Sequence, residues 1–184
     1  MRIIAGIRKG MLIKTIESES TRPTRDMVRE ALFSILTNEI NNSKFLDLFA
    51  GSGAIGIEAI SRGAQLAVFS DLNPKCTKII KDNIEKARFE EMSQVYTADY
   101  KLVLKKLKEK GSKFDIVYVD PPYNKGFGID AIDKISEYEL LSDNGIIILE
   151  TDTNEEVPDE IGYFKKYNYK RYGRNILNLF KRKG

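Results

Sequence analysis

Four consecutive residues, Asp120, Pro121, Pro122 and Tyr123, place an acid, two prolines and an aromatic directly after the apolar run of residues 115–119. A run of that kind reads as a buried parallel strand, and open α/β sheets bind ligands at the carboxyl ends of such strands. The prolines remove two backbone donors and stiffen the turn, so carbonyl oxygens point one way beside the Asp120 carboxylate and the Tyr123 ring. Such a site accepts hydrogen bonds from an amino group and offers a face to a planar base. The same tetrapeptide also suits an ordinary turn, since prolines end strands and aspartates favour turns.

A second constellation lies upstream. Residues 46–57 (LDLFAGSGAIGI) carry Gly51, Gly53 and Gly56 in the spacing G-x-G-x-x-G, immediately after an apolar strand and opening a helical stretch. Glycines there permit a tight turn and close approach of a ligand to backbone, and the helix N-terminus offers unpaired N–H groups to a carboxylate or phosphate. The second strand ends at Asp71 and Leu72, where a carboxylate could accept both hydroxyls of a ribose. The third ends at Asp99 and Tyr100, an acceptor for an adenine amine beside a side chain that could cover the ring. Either acid alone could be a helix N-cap. Acids at the ends of four strands (Asp47, Asp71, Asp99 and Asp120) point instead to a ligand. The expected adenosine pocket is therefore Asp47, Phe49, Ala50, Gly51, Ser52, Gly53, Asp71, Leu72, Asp99 and Tyr100. A nicotinamide dinucleotide and S-adenosylmethionine both fit it.

The elements that must position these residues follow from the apolar rhythm. Short strands at 45–49, 66–70, 94–97, 115–119 and 146–150 alternate with helical stretches at 54–62, 74–88, 101–110 and 128–137. This βαβα series predicts a mostly parallel, doubly wound sheet with right-handed crossovers. The end differs, because the strand-like runs 163–172 and 175–181 are separated only by Gly173 and Arg174 and so form an antiparallel hairpin. Residues 2–16 alternate around Gly10 as a small hairpin. A helix with the apolar face Val28, Ala31, Leu32, Ile35 and Leu36 follows. The expected division is an N-terminal hairpin extension, 1–22, and a main domain, 23–184.

At 184 residues with 42% hydrophobic content, the chain fits one domain with a real core. With 0 histidines and Cys76 the single cysteine, Ser-His and Cys-His catalysis and the usual zinc sites drop out, and no metal is expected. Cys76, inside a predicted helix, reads as a small buried residue. No apolar run reaches membrane length, and the N-terminus is charged too early for a secretory signal, which predicts a cytoplasmic protein. Residues 1–29 hold seven basic and three acidic side chains and residues 163–184 hold eight basic and none acidic, leaving the centre acidic. Basic ends converging on one rim would supply phosphate contacts; a solvated face and a frayed tail read equally well.

The terminal hairpin on a doubly wound sheet is the layout of class I methyltransferases, which favours S-adenosylmethionine over the dinucleotide. At this point the chain resembles the RsmD family of 16S ribosomal RNA guanine-N2 methyltransferases along nearly its whole length. The matching pieces are residues 2–6 (RIIAG), 21–33 (TRPTRDMVREALF), 46–53 (LDLFAGSG), 58–64 (EAISRGA) and 120–123 (DPPY). The last is shared by many amino-group methyltransferases and speaks for reaction class only. The second strand ends in Asp71 where the family more often has glutamate.

The resemblance implies a Rossmann-like class I fold with a seven-stranded sheet and methyl transfer to the exocyclic amine of a guanine. The substrate would be ribosomal RNA or the assembling small subunit, and the protein a monomer. Asp120 and the Pro121 carbonyl would accept the two amine hydrogens and Tyr123 would stack on an unpaired or flipped base. Arg8, Lys9 and Lys14 of the hairpin, with Arg22, Arg25 and Arg29, are the expected phosphate grips, and Arg22 to Thr24 would also close over the methionine end of the cofactor. The alternatives are transfer to adenine N6 or a protein glutamine, and an RNA-binding assembly factor without catalysis.

Overall fold

The computed structural model describes residues 1–16, 23–123 and 125–184, with the backbone alone at 23–25. Strands β1 (Lys44–Asp47), β2 (Leu66–Asp71), β3 (Ser93–Thr97), β4 (Phe114–Val119) and β5 (Leu141–Asp152) are joined by helices α2 (Ala54–Ser61), α3 (Pro74–Ala87), α4 (Tyr100–Glu109) and α5 (Phe127–Glu137). Helix α1 (Pro23–Ile35) precedes them; β6 (Glu160–Ile161), β7 (Phe164–Tyr172) and β8 (Asn175–Arg182) follow. The eight strands among the described residues form one sheet in the order β3-β2-β1-β4-β5-β8-β7-β6. The first five pair in parallel, and β8 enters antiparallel beside β5. Winding reverses between β1 and β4, so a crevice opens at their carboxyl ends.

Residues covered on both faces must be apolar throughout, which is why β1 and β4 read as continuous runs. Phe45 and Ile116 face one core with α1, α2 and α3, while Leu46 and Val117 face the other with α4 and α5. The predicted face of α1 is inward, with Val28, Leu32 and Leu36 buried.

The structure departs from the expected sheet in two places. An eighth strand, β6, pairs Glu160 with Lys165 and Ile161 with Phe164 at the edge. Two residues leave no readable alternation. Strand β5 begins at Leu141 rather than 146, because the register slips between Phe114 and Ile116 and the polar residues 142–145 bulge out of a continuing strand. Those residues carry turn chemistry, so the sequence pattern breaks where the chain does not.

The N-terminal hairpin pairs Arg2 with Leu12 and packs into the main core through Ile3 and Ile13. The fully buried Glu58 of α2 accepts the backbone N–H of Ile4 and Ala5 at 2.7 and 2.9 Å. Asn83 of α3 both accepts from the Lys14 N–H and donates to the Lys14 carbonyl. At Gly6 a Cβ would lie 1.7 Å from the Ser61 carbonyl oxygen, so only glycine allows the hairpin this close to α2.

Candidate active site

The glycine loop crosses the switch point because the chain leaving β1 stays bonded to both neighbours: Leu48 N–H donates to the Tyr118 carbonyl and Ala50 N–H to that of Ser70. Gly53 then starts α2 with φ at 76°, a left-handed conformation that glycine tolerates. No side chain at that position caps the helix; the buried Asp47 does so from β1, its Oδ2 accepting the Gly56 N–H at 3.1 Å. At Gly56 a Cβ would meet the Phe69 ring at 2.3 Å, so the third glycine serves helix-on-strand packing.

Two cavities flank this loop. The larger, about 510 Å³, is lined by Phe49, Gly51, Asp71, Leu72, Asp99 and Tyr100 together with Asp120, Pro121, Pro122 and Tyr123. The smaller, about 130 Å³, is lined by Asp47, Phe49, Ala50, Gly51, Ser52, Asp120 and Tyr123. They share Phe49, Gly51, Asp120 and Tyr123. Nine of the ten residues expected around adenosine therefore line one cavity or the other, as do Asp120, Pro121 and Tyr123. Gly53 does not: a Cβ there would face the Ile80 side chain at 3.0 Å, inside the core.

The strand-end acids also hold backbone. Asp71 accepts the Gly51 N–H through Oδ2 at 2.9 Å and the Asn73 N–H through Oδ1 at 2.8 Å, tying the glycine loop to the next turn. Asp99 is the N-cap of α4, accepting the Lys101 N–H at 2.9 Å. Asp47 and Asp99 thus perform the helix capping that the sequence reading set against ligand binding, Asp71 fastens two loops, and all three line the cavities as well. Tyr100 is buried and donates from its hydroxyl to Asp130 at 2.6 Å. Burial, then the neighbouring Asp130, push that hydroxyl's pKa far up. It is a packed wall against Phe49, with ring centroids 5.1 Å apart.

Several lining residues escaped the sequence reading. Ile16, Cys76 and the half-exposed Phe127 also line the larger cavity. Tyr118, Glu150 and Arg29, the last expected as a phosphate grip, also line the smaller. Glu150 is the last residue of the apolar run expected at 146–150, and the strand-end rule that found the other acids would have found it too. Its carboxylate accepts from the Tyr118 hydroxyl, from Asn175 Nδ2 and, at 3.4 Å, from the Tyr123 hydroxyl. Tyr118 is buried, and burial, then the charge of Glu150, drive its pKa well up, so it stays a donor.

The expected phosphate grips divide. Arg29 is not on the surface: only 4% of it is exposed, because the helical face that buries Val28 and Leu32 turns it inward. Its Nη2 donates to the Arg2 carbonyl at 2.7 Å, while Nε and Nη1 are buried with no hydrogen-bond partner among the described residues. Burial lowers its pKa. Arg8 donates from Nε to the Ala87 carbonyl at 2.7 Å and lies over the Phe89 ring. Lys14 pairs with Asp82 at 2.8 Å, and Lys9 is exposed. Arg22 and the side chains of Thr24 and Arg25 lie outside the described residues. Lys165, Lys170, Arg171, Arg174 and Lys181 of the terminal hairpin are exposed.

Comparison with known proteins gives this geometry a setting. The model of the family described as "Conserved hypothetical protein 95" matches residues 1–181. The ribosomal RNA small subunit methyltransferase D of Escherichia coli K12 is 30% identical over 182 residues, 99% of this chain and 90% of that protein. Its namesake in Haemophilus influenzae is 34% identical over 155 residues, 84% and 80% of the two chains. Among solved structures, yhhF from Escherichia coli, described as a candidate methyltransferase, superposes with a TM-score of 0.85 at 29% identity, covering 100% of this chain and 98% of that one.

Proposed function

The chain belongs to the family described as "Conserved hypothetical protein 95", shared with the ribosomal RNA small subunit methyltransferases D, and from that premise we propose that it methylates the exocyclic N2 amine of a guanine in 16S ribosomal RNA, using S-adenosylmethionine. The observation that carries the reading is the join between the cavities: both are bordered by Asp120 and Tyr123. A donor with its adenosine in the larger cavity and its methionine end beside Arg29 in the smaller carries its methyl past that join, where a base meeting Asp120 and Tyr123 is positioned for transfer.

The residues fit the cofactor on a point independent of its adenosine half. Arg29, with two nitrogens that have no hydrogen-bond partner among the described residues, lines the smaller cavity together with the acid Asp47. A methionine end carries a carboxylate to match the guanidinium and an ammonium to match Asp47. When bound, S-adenosylmethionine supplies an electrophilic methyl on its sulfonium. Asp71 keeps lone pairs for the ribose hydroxyls, Asp99 keeps its second oxygen for the adenine amine, and the exposed Leu72 and Phe127 cover the ring.

Asp120 and the Pro121 carbonyl accept the two hydrogens of the target amine and turn its lone pair out of conjugation with the base. A guanine amine loses almost no proton before transfer, so Asp120 orients it and takes the proton late. Tyr123 stacks on the base, which enters unpaired or flipped. Lys9, the expected grips Arg22, Thr24 and Arg25, and the exposed cations of the β7–β8 hairpin hold ribosomal RNA or the assembling small subunit by its phosphates. Arg8 contributes by seating the hairpin. The reading treats the protein as a cytoplasmic monomer, residues 1–22 extending a catalytic domain at 23–184.

The test is incubation with radiolabelled S-adenosylmethionine and small-subunit RNA or particles from a strain lacking the enzyme, followed by nucleoside analysis. Label on guanine N2 is expected. Label on adenine N6 or a protein glutamine, or none with cofactor bound, overturns the assignment.

A further inference from the structure

We propose that Glu150 reads the base edge of the target, its carboxylate accepting the N1–H of guanine and so setting which base is methylated. The inference rests on the target-base reading above and adds the residue that makes the choice. In the sheet Val119 pairs with Leu149, so Glu150 stands on the strand beside Asp120, one residue past that pair just as Asp120 is. It is only 6% exposed, yet lines the smaller cavity with Asp120 and Tyr123. Tyr118 and Asn175 pin its two oxygens. The groups bonded to it are neutral hydroxyl and amide donors. Its acceptor capacity is not exhausted: Oε2 takes the Tyr118 hydroxyl, and the Tyr123 hydroxyl reaches Oε1 only at a long 3.4 Å.

A carboxylate held in this way discriminates among bases. Guanine presents two adjacent donors, N1–H and the C2 amine; adenine and cytosine present an amine beside a ring lone pair. With the amine hydrogens directed to Asp120 and the Pro121 carbonyl, the neighbouring ring position falls towards β5 and Glu150. There the carboxylate completes its bonds with N1–H of guanine and repels the lone pair of adenine or cytosine. Asp120 and Pro121 serve any exocyclic amine; Glu150 restricts the site to one.

Once product mapping has located the modified nucleotide, the experiment replaces it by 2-aminopurine. That base keeps the C2 amine but carries a lone pair in place of N1–H. The wild-type enzyme should methylate it about a hundredfold more slowly than guanine or worse, as when a site built for a hydrogen bond meets an analogue lacking it. Glu150→Gln, which puts an amide donor where the carboxylate was, should lose roughly 10- to 100-fold on guanine while the penalty on 2-aminopurine shrinks at least as much. Calorimetric affinity for S-adenosylmethionine should stay within about twofold, since no cofactor atom is assigned to Glu150. Equal wild-type rates on the two bases, or a variant slowed by the same factor on both, overturn the proposal. The wild-type comparison decides alone if the variant does not fold. A wild-type enzyme that leaves guanine unmethylated sinks the target-base reading instead, before any variant is made.

Discussion

Two parts of the site that meet at Asp120 are built by different means. Around the glycine loop, where the cofactor is proposed to lie, acids bond to backbone: Asp47 to the Gly56 N–H, Asp71 to those of Gly51 and Asn73, Asp99 to that of Lys101. Around Glu150, where the base is proposed to enter, side chains bond to one another, with Tyr118, Tyr123 and Asn175 gathered on its carboxylate. An acid that caps a helix or fastens a loop cannot be removed without loosening the element that shapes its cavity. A side-chain cluster on strand ends can be altered while the strands keep their ladders. Cofactor binding is thus coupled to stability, and base capture is largely separable from it.

The strongest test of that contrast is Asp120→Ala. It should leave the melting temperature and cofactor affinity nearly unchanged while single-turnover methyl transfer falls about a hundredfold or more, as when a hydrogen-bond partner of the reacting group is lost. Full activity would remove Asp120 from the chemistry. Asp71→Ala should do the reverse. Cofactor affinity should drop by about 1.5 to 3 kcal/mol in titration calorimetry, and thermal stability should fall with it, because Gly51 and Asn73 lose their acceptor. Weaker binding at unaltered stability would break the coupling.

Tyr123→Phe should be milder, costing about 1 kcal/mol in RNA capture through its hydroxyl bonds, whereas Tyr123→Ala should cost roughly 1 to 3 by losing the ring. Binding assays with cofactor-saturated enzyme distinguish the two. The smallest effects concern the outer surface. Lys9→Ala should flatten the salt dependence of RNA affinity by about one unit of slope per lost phosphate contact, with no change in melting temperature. Arg8→Ala should instead lower stability by about 1 kcal/mol, through the bond to the Ala87 carbonyl and the Phe89 contact. Equal salt slopes and equal stabilities for the two variants would mean that Arg8 is a surface grip like its neighbour.

Alternating helices and strands, the reversed final hairpin and the acids at four strand ends were legible because each is written in local periodicity or in residues following a strand directly. The eighth strand was too short to leave a pattern, and the bulge in β5 wore the residues of a turn. Asp99 could be read as a cap or a ligand acceptor from its position alone, and folding made it a cap on a cavity wall.

What the chain by itself determined is the order and kind of its elements, the glycine loop after β1 and the Asp120 to Tyr123 turn after β4, since these depend on near neighbours. Only the tertiary structure decided that Arg29 is buried and lines the smaller cavity, that a Cβ at Gly53 would face Ile80 in the core, and that Asn175 meets Tyr123 across 52 residues of sequence. A helix's period says which side chains share a face, but which distant groups that face will meet depends on how the sheet orders its strands.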